Sequence, residues 1–196
     1  MHGWDSVLKD WPDHSLSYNR APTSEVAAFR GETGELMRWG MIPSWSKEFK
    51  SNFATFNARV ETVAEKPTFR NAWAKSHRCL IPMAGYYEWR GEKGSKQPVY
   101  ITDRNSGVIV VAGLYEQWGS NGQLSCTMLT TAADQELAPI HPRMPIMLTQ
   151  ESAREWLAGS KDVTAFKRPS LIYYPVSKAV GNVRNNSPEL ITPVSD

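Results

Sequence analysis

With 196 residues, 41% of them hydrophobic, the chain can bury one substantial core and is read as a single domain. Its 22 Lys and Arg against 20 Asp and Glu leave a net charge of +2 and a pI near 8.5, a mild excess that neither demands nor excludes nucleic acid. No apolar run approaches the ~20 residues of a membrane helix, and the start, with Asp5, Lys9, Asp10 and Asp13, has no signal-peptide core, so a soluble cytoplasmic protein is expected.

Cys79 and Cys126 lie in strand-like runs, where a small buried thiol is expected rather than a disulfide. Four dispersed histidines without CxxC or HExxH spacing argue against a metal site, and no cofactor is expected. Eight tryptophans exceed what a core of this size needs. Trp39, Trp45 and Trp89 stand in polar or turn-rich sequence and are candidates for surface platforms, whereas Trp73 and Trp156 fall at amphipathic helix positions and read as core.

In chain order, Trp4, Val7, Leu8 and Trp11 fit one short helical face ended by Pro12. Tyr18-Asn19-Arg20-Ala21-Pro22 reads as a polar loop stiffened by its proline. Strands are expected at Glu25 to Arg30 and Glu35 to Gly40, joined by a turn from Gly31 to Gly34, followed by the aromatic loop Trp39 to Trp45. Lys47 to Ala58 shows no periodicity. Pro67 looks like a first-turn proline of a helix running to Lys75. Strands follow around Arg78 to Met83, Tyr86 to Arg90, Gln97 to Asp103, Val108 to Gln117 and Leu124 to Thr131, with Ile81 to Arg90 read as a hairpin. A short helical stretch near Ala133 to Ala138 comes next. Thr149 is a sensible N-cap for a helix that carries Ala153, Trp156 and Leu157 and stops near Gly159. Ile172 to Tyr174 and Leu190 to Thr192 are strand-like. Strands clustered between few helices predict an α+β domain with a predominantly antiparallel, barrel-like sheet and a few short helices.

Three polar stations carry the candidate chemistry. Glu88 is a lone acid in an aromatic run and shares a strand face with Tyr86 and Arg90. A solvent-facing, paired glutamate is one reading; a carboxylate desolvated by aromatic rings, with a raised pKa suited to proton transfer, is the other, and sequence physics leaves both open. His141, in a loop between Ile140 and Pro142, can carry a proton near neutral pH or simply bond to backbone. Asn57 and Arg59 share a face if extended, an arrangement that lets an amide orient an oxygen while a guanidinium forks onto a phosphate; a turn asparagine beside a surface arginine is the alternative.

The ordered set Tyr18-Asn19-x-Ala21-Pro22, Trp39-Gly40-x-x-Pro43-x-Trp45, Asn57-Ala58-Arg59-x-Glu61-Thr62, Gly85-x-Tyr87-Glu88-Trp89, Thr130-x-Ala132-x-Asp134, Ile140-His141-x-Arg143-x-Pro145 and Pro175-Val176-Ser177-x-Ala179-Val180-Gly181-Asn182 closely resembles the SRAP family, the SOS-response-associated peptidases or abasic-site processing proteins. The resemblance runs from about Ser17 to the C-terminus. It implies a monomeric DNA-damage protein, nucleoid-associated during damage, that binds single-stranded DNA and captures the aldehyde of an abasic site. In the family, a cysteine exposed by removal of the initiator methionine closes a thiazolidine with that aldehyde. By the same resemblance Asn57 positions the sugar, Glu88 transfers protons and His141 assists ring opening or Schiff-base chemistry. Arg59 grips a phosphate, Pro22 and Trp45 wedge or stack against bases, Thr130 lies near the site, and Asn19, Trp89 and Arg143 join the DNA-contacting set.

One departure stands out: the sequence opens Met1-His2-Gly3-Trp4 where the family has Met-Cys-Gly-Arg, and only a short stretch precedes Tyr18. The expectation is a single SRAP-like domain over residues 1–196 lacking the family's first strand, with cross-linking limited to a reversible Schiff base. Two alternatives stand beside abasic-site capture: a non-covalent single-strand-binding module, and a peptidase limited to self-removal of the initiator methionine. No GxSxG or metal motif supports general proteolysis.

Overall fold

The computed structural model describes residues 3–92, 94–163 and 165–194. Met1 and His2, where the departure from the family pattern lies, fall outside them. The main sheet is built from β1 (Glu25–Phe29), β2 (Gly34–Trp39), β3 (Asn57–Arg59), β4 (Arg78–Met83), β7 (Ile109–Trp118), β8 (Gln123–Ala132), β9 (Arg143–Pro145) and β10 (Met147–Leu148). β1 and β2 form the expected hairpin, Val26 opposite Met37. Pairing then runs β7-β4-β1-β2-β8, and β7 pairs back onto β8, Gly113 opposite Met128, closing a five-stranded barrel.

β7 reads as a nearly continuous apolar run because both of its faces are covered. Val110, Ala112 and Leu114 join a core with Phe29, Leu80 and Leu129, sealed by Trp156 of α2 (Gln150–Leu157) and Ala72 of α1 (Arg70–Ala74). The alternate residues, Ile109 and Val111, join Cys79, Ile81 and Cys126 in a second core that reaches a separate sheet. Thr149 caps α2 through a capping box with Ser152, and Gly159 stops it at φ +107°.

The second sheet is antiparallel, in the order β11 (Leu171–Pro175), β6 (Gln97–Asp103), β5 (Tyr86–Arg90). Its alternation divides two duties. Val99 and Ile101 face the barrel and belong to its second core, with Tyr86 packed against it. Tyr100, with Tyr87 and Tyr174 beside it, faces the opposite way and receives Val180 and Leu190 from two 3-10 turns, Lys178–Gly181 and Pro188–Ile191.

Several expectations are corrected. Ile81 to Arg90 is not a hairpin: β4 stays in the barrel while β5 pairs only with β6, so the chain changes sheets at Ala84-Gly85. Both strands are individually apolar enough to have paired, and nothing local distinguishes a turn from a crossover. The helix expected from Pro67 shrinks to Arg70–Ala74, with Pro67 in the preceding turns. Ala133 to Ala138 forms successive turns fastened by Asp134, whose carboxylate accepts the backbone N–H groups of Glu136 and Leu137. Leu190 and Ile191 belong to a 3-10 turn started by Pro188, with Thr192 capping it, rather than to a strand, and the N-terminal face around Trp4 makes only a turn, Leu8 N–H to Trp4 C=O at 2.8 Å.

Gly85 allows the change of sheet. A Cβ there would fall 2.5 Å from the Ile101 carbonyl oxygen and 2.6 Å from the Tyr100 hydroxyl, so the β6 backbone approaches only because glycine has no side chain. Gly85→Ala is therefore expected to lower unfolding free energy by about 1–3 kcal/mol, the usual range for overpacking. Urea denaturation checks this, and an unchanged midpoint would show that β6 yields freely.

Candidate functional site

The change of sheet sets Glu88 on the β5 face turned towards the barrel, in register with Val99. The barrel answers with His141, at the end of the turns that precede β9. The two side chains meet across the two sheets, His141 Nδ1 lying 3.7 Å from Glu88 Oε1. Burial between the layers pushes the Glu88 carboxyl above the usual carboxylate range, and the neighbouring His141 opposes that shift. The desolvated reading of Glu88 is the one the geometry supports; its side chain is 25% exposed.

His141 Nδ1 has two main-chain neighbours with opposite demands. The Arg143 carbonyl oxygen, 2.9 Å away, needs a proton on Nδ1; the Arg143 amide nitrogen, 3.2 Å away, needs a lone pair there. An ionised Glu88 favours the Nδ1–H form and a protonated Glu88 the other. The imidazole tautomer is thus coupled to the charge of the carboxylate, as a proton relay requires. Tyr86, on the same face, has its hydroxyl pKa pushed up by burial and then by Glu88, so it stays protonated.

The third station joins through β8. β3 runs parallel to β8 with Asn57 opposite Met128 and Arg59 opposite Thr130, and Thr130 in turn lies opposite Pro145 of β9. Asn57 and Arg59 are exposed while Ala58 between them is buried, as the shared-face reading expects. Among the described residues neither Asn57 nor Arg59 has a side-chain hydrogen-bond partner. The ribbon β3-β8-β9 therefore carries Asn57, Arg59, Thr130 and Arg143, with His141 two residues before β9's side of it.

Arg143 is engaged within the protein. Its Nη1 and Nη2 fork onto Glu61 at 2.7 and 2.9 Å, and Nη2 also donates to the Thr130 carbonyl at 2.8 Å. Asn19 is similarly occupied, its amide donating to the carbonyls of Val180, Asn182 and Asn185. It ties the loop before Pro22 to the C-terminal turns, and the Tyr87 hydroxyl donates to the Tyr18 carbonyl at 2.6 Å in the same junction. Pro22 occupies a tight turn in which Thr23 adopts φ +78°, strained for a β-branched residue. Trp45 is 65% exposed and Trp89 38%, both available as stacking surfaces. Trp39 is not: it is half-buried, and its indole N–H is bonded to the Phe56 carbonyl at 3.0 Å. Phe53, 82% exposed in the loop leading to Asn57, is a further candidate platform that the aperiodic sequence around it concealed.

Both cysteines are fully buried and free, and burial pushes Cys126 up to about 12, so neither offers a thiolate. Among the described residues no cluster of three or more His, Cys, Asp or Glu could hold a metal ion, and no helix is long and apolar enough to cross a membrane.

A sequence model of the SOS response associated peptidase (SRAP) family matches residues 3–183. The abasic site processing protein YoqW of Bacillus subtilis is 38% identical over 204 aligned residues, covering 95% of this chain and 90% of that protein. The abasic site processing protein HMCES of Xenopus tropicalis is 33% identical, covering 95% of this chain and 71% of its own length. A solved structure from Bordetella bronchiseptica superposes with a TM-score of 0.77 at 28% identity, over 89% of this chain and 94% of that one. With a family model matched over residues 3–183 and relatives aligned over nearly its whole length, the chain belongs to the SRAP family.

Proposed function

We propose that the protein recognises abasic sites in single-stranded DNA and reacts with their aldehyde, using Glu88 and His141 as a proton relay. The observation that carries this reading is the Glu88–His141 pair held across two sheets with its carboxyl pKa raised. The names of relatives such as YoqW and HMCES support the lesion as the target. An abasic deoxyribose must open to its aldehyde, and an amine nitrogen that attacks the carbonyl carbon gives a carbinolamine, which loses water to form an imine. Glu88 supplies the proton that leaves with the hydroxyl, and His141 supports ring opening. Asn57 orients the sugar, Arg59 takes a flanking phosphate, and Pro22, Trp45 and Trp89 engage unpaired bases. The family name points to proteolysis, but two buried, protonated cysteines offer no thiol nucleophile towards other proteins.

The test is incubation with abasic single-stranded DNA, borohydride reduction and a denaturing gel, with binding measured separately. Glu88→Gln is expected to slow adduct formation by about 10²–10⁴-fold while leaving DNA affinity nearly intact. If both Glu88→Gln and His141→Gln react as the parent does, the relay reading fails; if the parent binds the strand but gives no adduct, a non-covalent binding module is the better reading.

The pH profile gives a second check. Burial raises the Glu88 pKa and His141 opposes the rise, so His141→Gln is expected to move the alkaline limb of the rate profile, where Glu88 loses the proton it supplies, to higher pH; movement to lower pH would contradict the pairing. Arg59→Ala should weaken binding to all single strands alike and flatten the dependence of log affinity on log salt by about 0.7, the loss of one phosphate contact. An unchanged slope would remove Arg59 from the phosphate-binding set.

A further inference from the structure

The Arg143 fork lies next to the relay yet is closed on the protein's own carboxylate. Arg143 is two residues from His141 and its main chain bonds the His141 ring, while its guanidinium bonds Thr130 on the neighbouring strand β8. Its partner Glu61 lies two residues after the β3 segment that carries Asn57 and Arg59, and is 47% exposed. The geometry is bidentate, the arrangement a phosphate also takes. The Arg143 side chain is only 23% exposed, and its Nε is buried without a hydrogen-bond partner, so the guanidinium is held in place without being fully satisfied by the carboxylate it now holds.

We infer that Glu61 is an internal stand-in for a DNA phosphate: in the free protein it closes the Arg143 fork, and on binding a strand the fork exchanges Glu61 for a backbone phosphate beside the lesion. This rests on the single-stranded DNA reading proposed above. Hydrogen bonding from Arg143 holds the Glu61 carboxyl below its usual range, so Glu61 stays ionised at neutral pH and competes as an anion. The exchange conserves charge at the fork, which keeps a solitary cation from binding anions indiscriminately and ties opening to a strand that other contacts already hold. The Thr130 carbonyl, 2.8 Å from Arg143 Nη2, stays as a fixed anchor in both states and keeps the guanidinium aimed.

The test uses the full chain and a labelled single strand carrying one tetrahydrofuran abasic analogue, which cannot react and so reports binding alone. Glu61→Gln is expected to tighten binding by about five- to tenfold at low salt, because the fork no longer has to leave a carboxylate before it takes the phosphate. The tightening must disappear in an Arg143→Gln background. Arg143→Lys, which keeps the charge but cannot fork, provides a second background and should retain less than half of it; thermal melts establish that each variant is folded.

Equal tightening in all three backgrounds would mean that Glu61 only repels DNA, and unchanged or weaker binding of Glu61→Gln would make it a structural tether; either result overturns the exchange. If the parent protein itself shows no affinity for the strand, the DNA reading fails with it. If the parent binds and Glu61→Gln leaves affinity unaltered, only the exchange fails.

Discussion

The packing of the small sheet against the barrel governs the rest of the site. Val99 and Ile101 from β6 enter the second barrel core, and that contact pulls β5 to the barrel wall with Glu88 at the rim of the interface. A carboxylate at such a rim loses water on one side and keeps access on the other. This is why its pKa rises and why a single histidine from the opposing layer can share a proton with it. The same packing needs the close approach at Gly85, so the residue that lets the chain leave the barrel also determines how deeply the acid sits.

Charge around this centre is distributed unevenly. Arg59 is exposed and has no side-chain partner among the described residues, whereas Arg143 and Asn19 are committed to Glu61 and to three carbonyls. Residues that look alike in sequence, polar and close to a motif, therefore do different things: one presents a charge to solvent, one holds it in reserve, and one closes the junction between the loop before Pro22 and the C-terminal turns. With the overall charge only +2, the DNA binding proposed above rests on such placed groups and on the exposed rings of Trp45, Trp89 and Phe53 rather than on a diffuse basic surface.

Most strands were legible because period-two alternation and turn residues are local signals. The β1–β2 hairpin and strands β4 to β8 lie within a residue or two of their expected places, as does α2 with its Thr149 cap. The failures share a cause. The turns after Ala132 and the 3-10 segment at Pro188–Ile191 hold apolar residues that any regular element could use, and the choice was made by side-chain-to-backbone bonds and by the tyrosine face they cover. Trp39 read as a platform because its neighbours are polar, but its ring is claimed by Phe56 and the second core.

The sequence by itself determined the α+β class and the family and named the candidate groups of the site, because these rest on residue types and local spacing. Only the tertiary structure decided that β4 and β5 part company, that Glu88 faces His141 rather than solvent, and that Arg143 is held by Glu61. Each of these depends on contacts between segments far apart in the chain, such as Glu61 with Arg143 or Gly85 with Ile101, and local propensity carries no information about such long-range pairings.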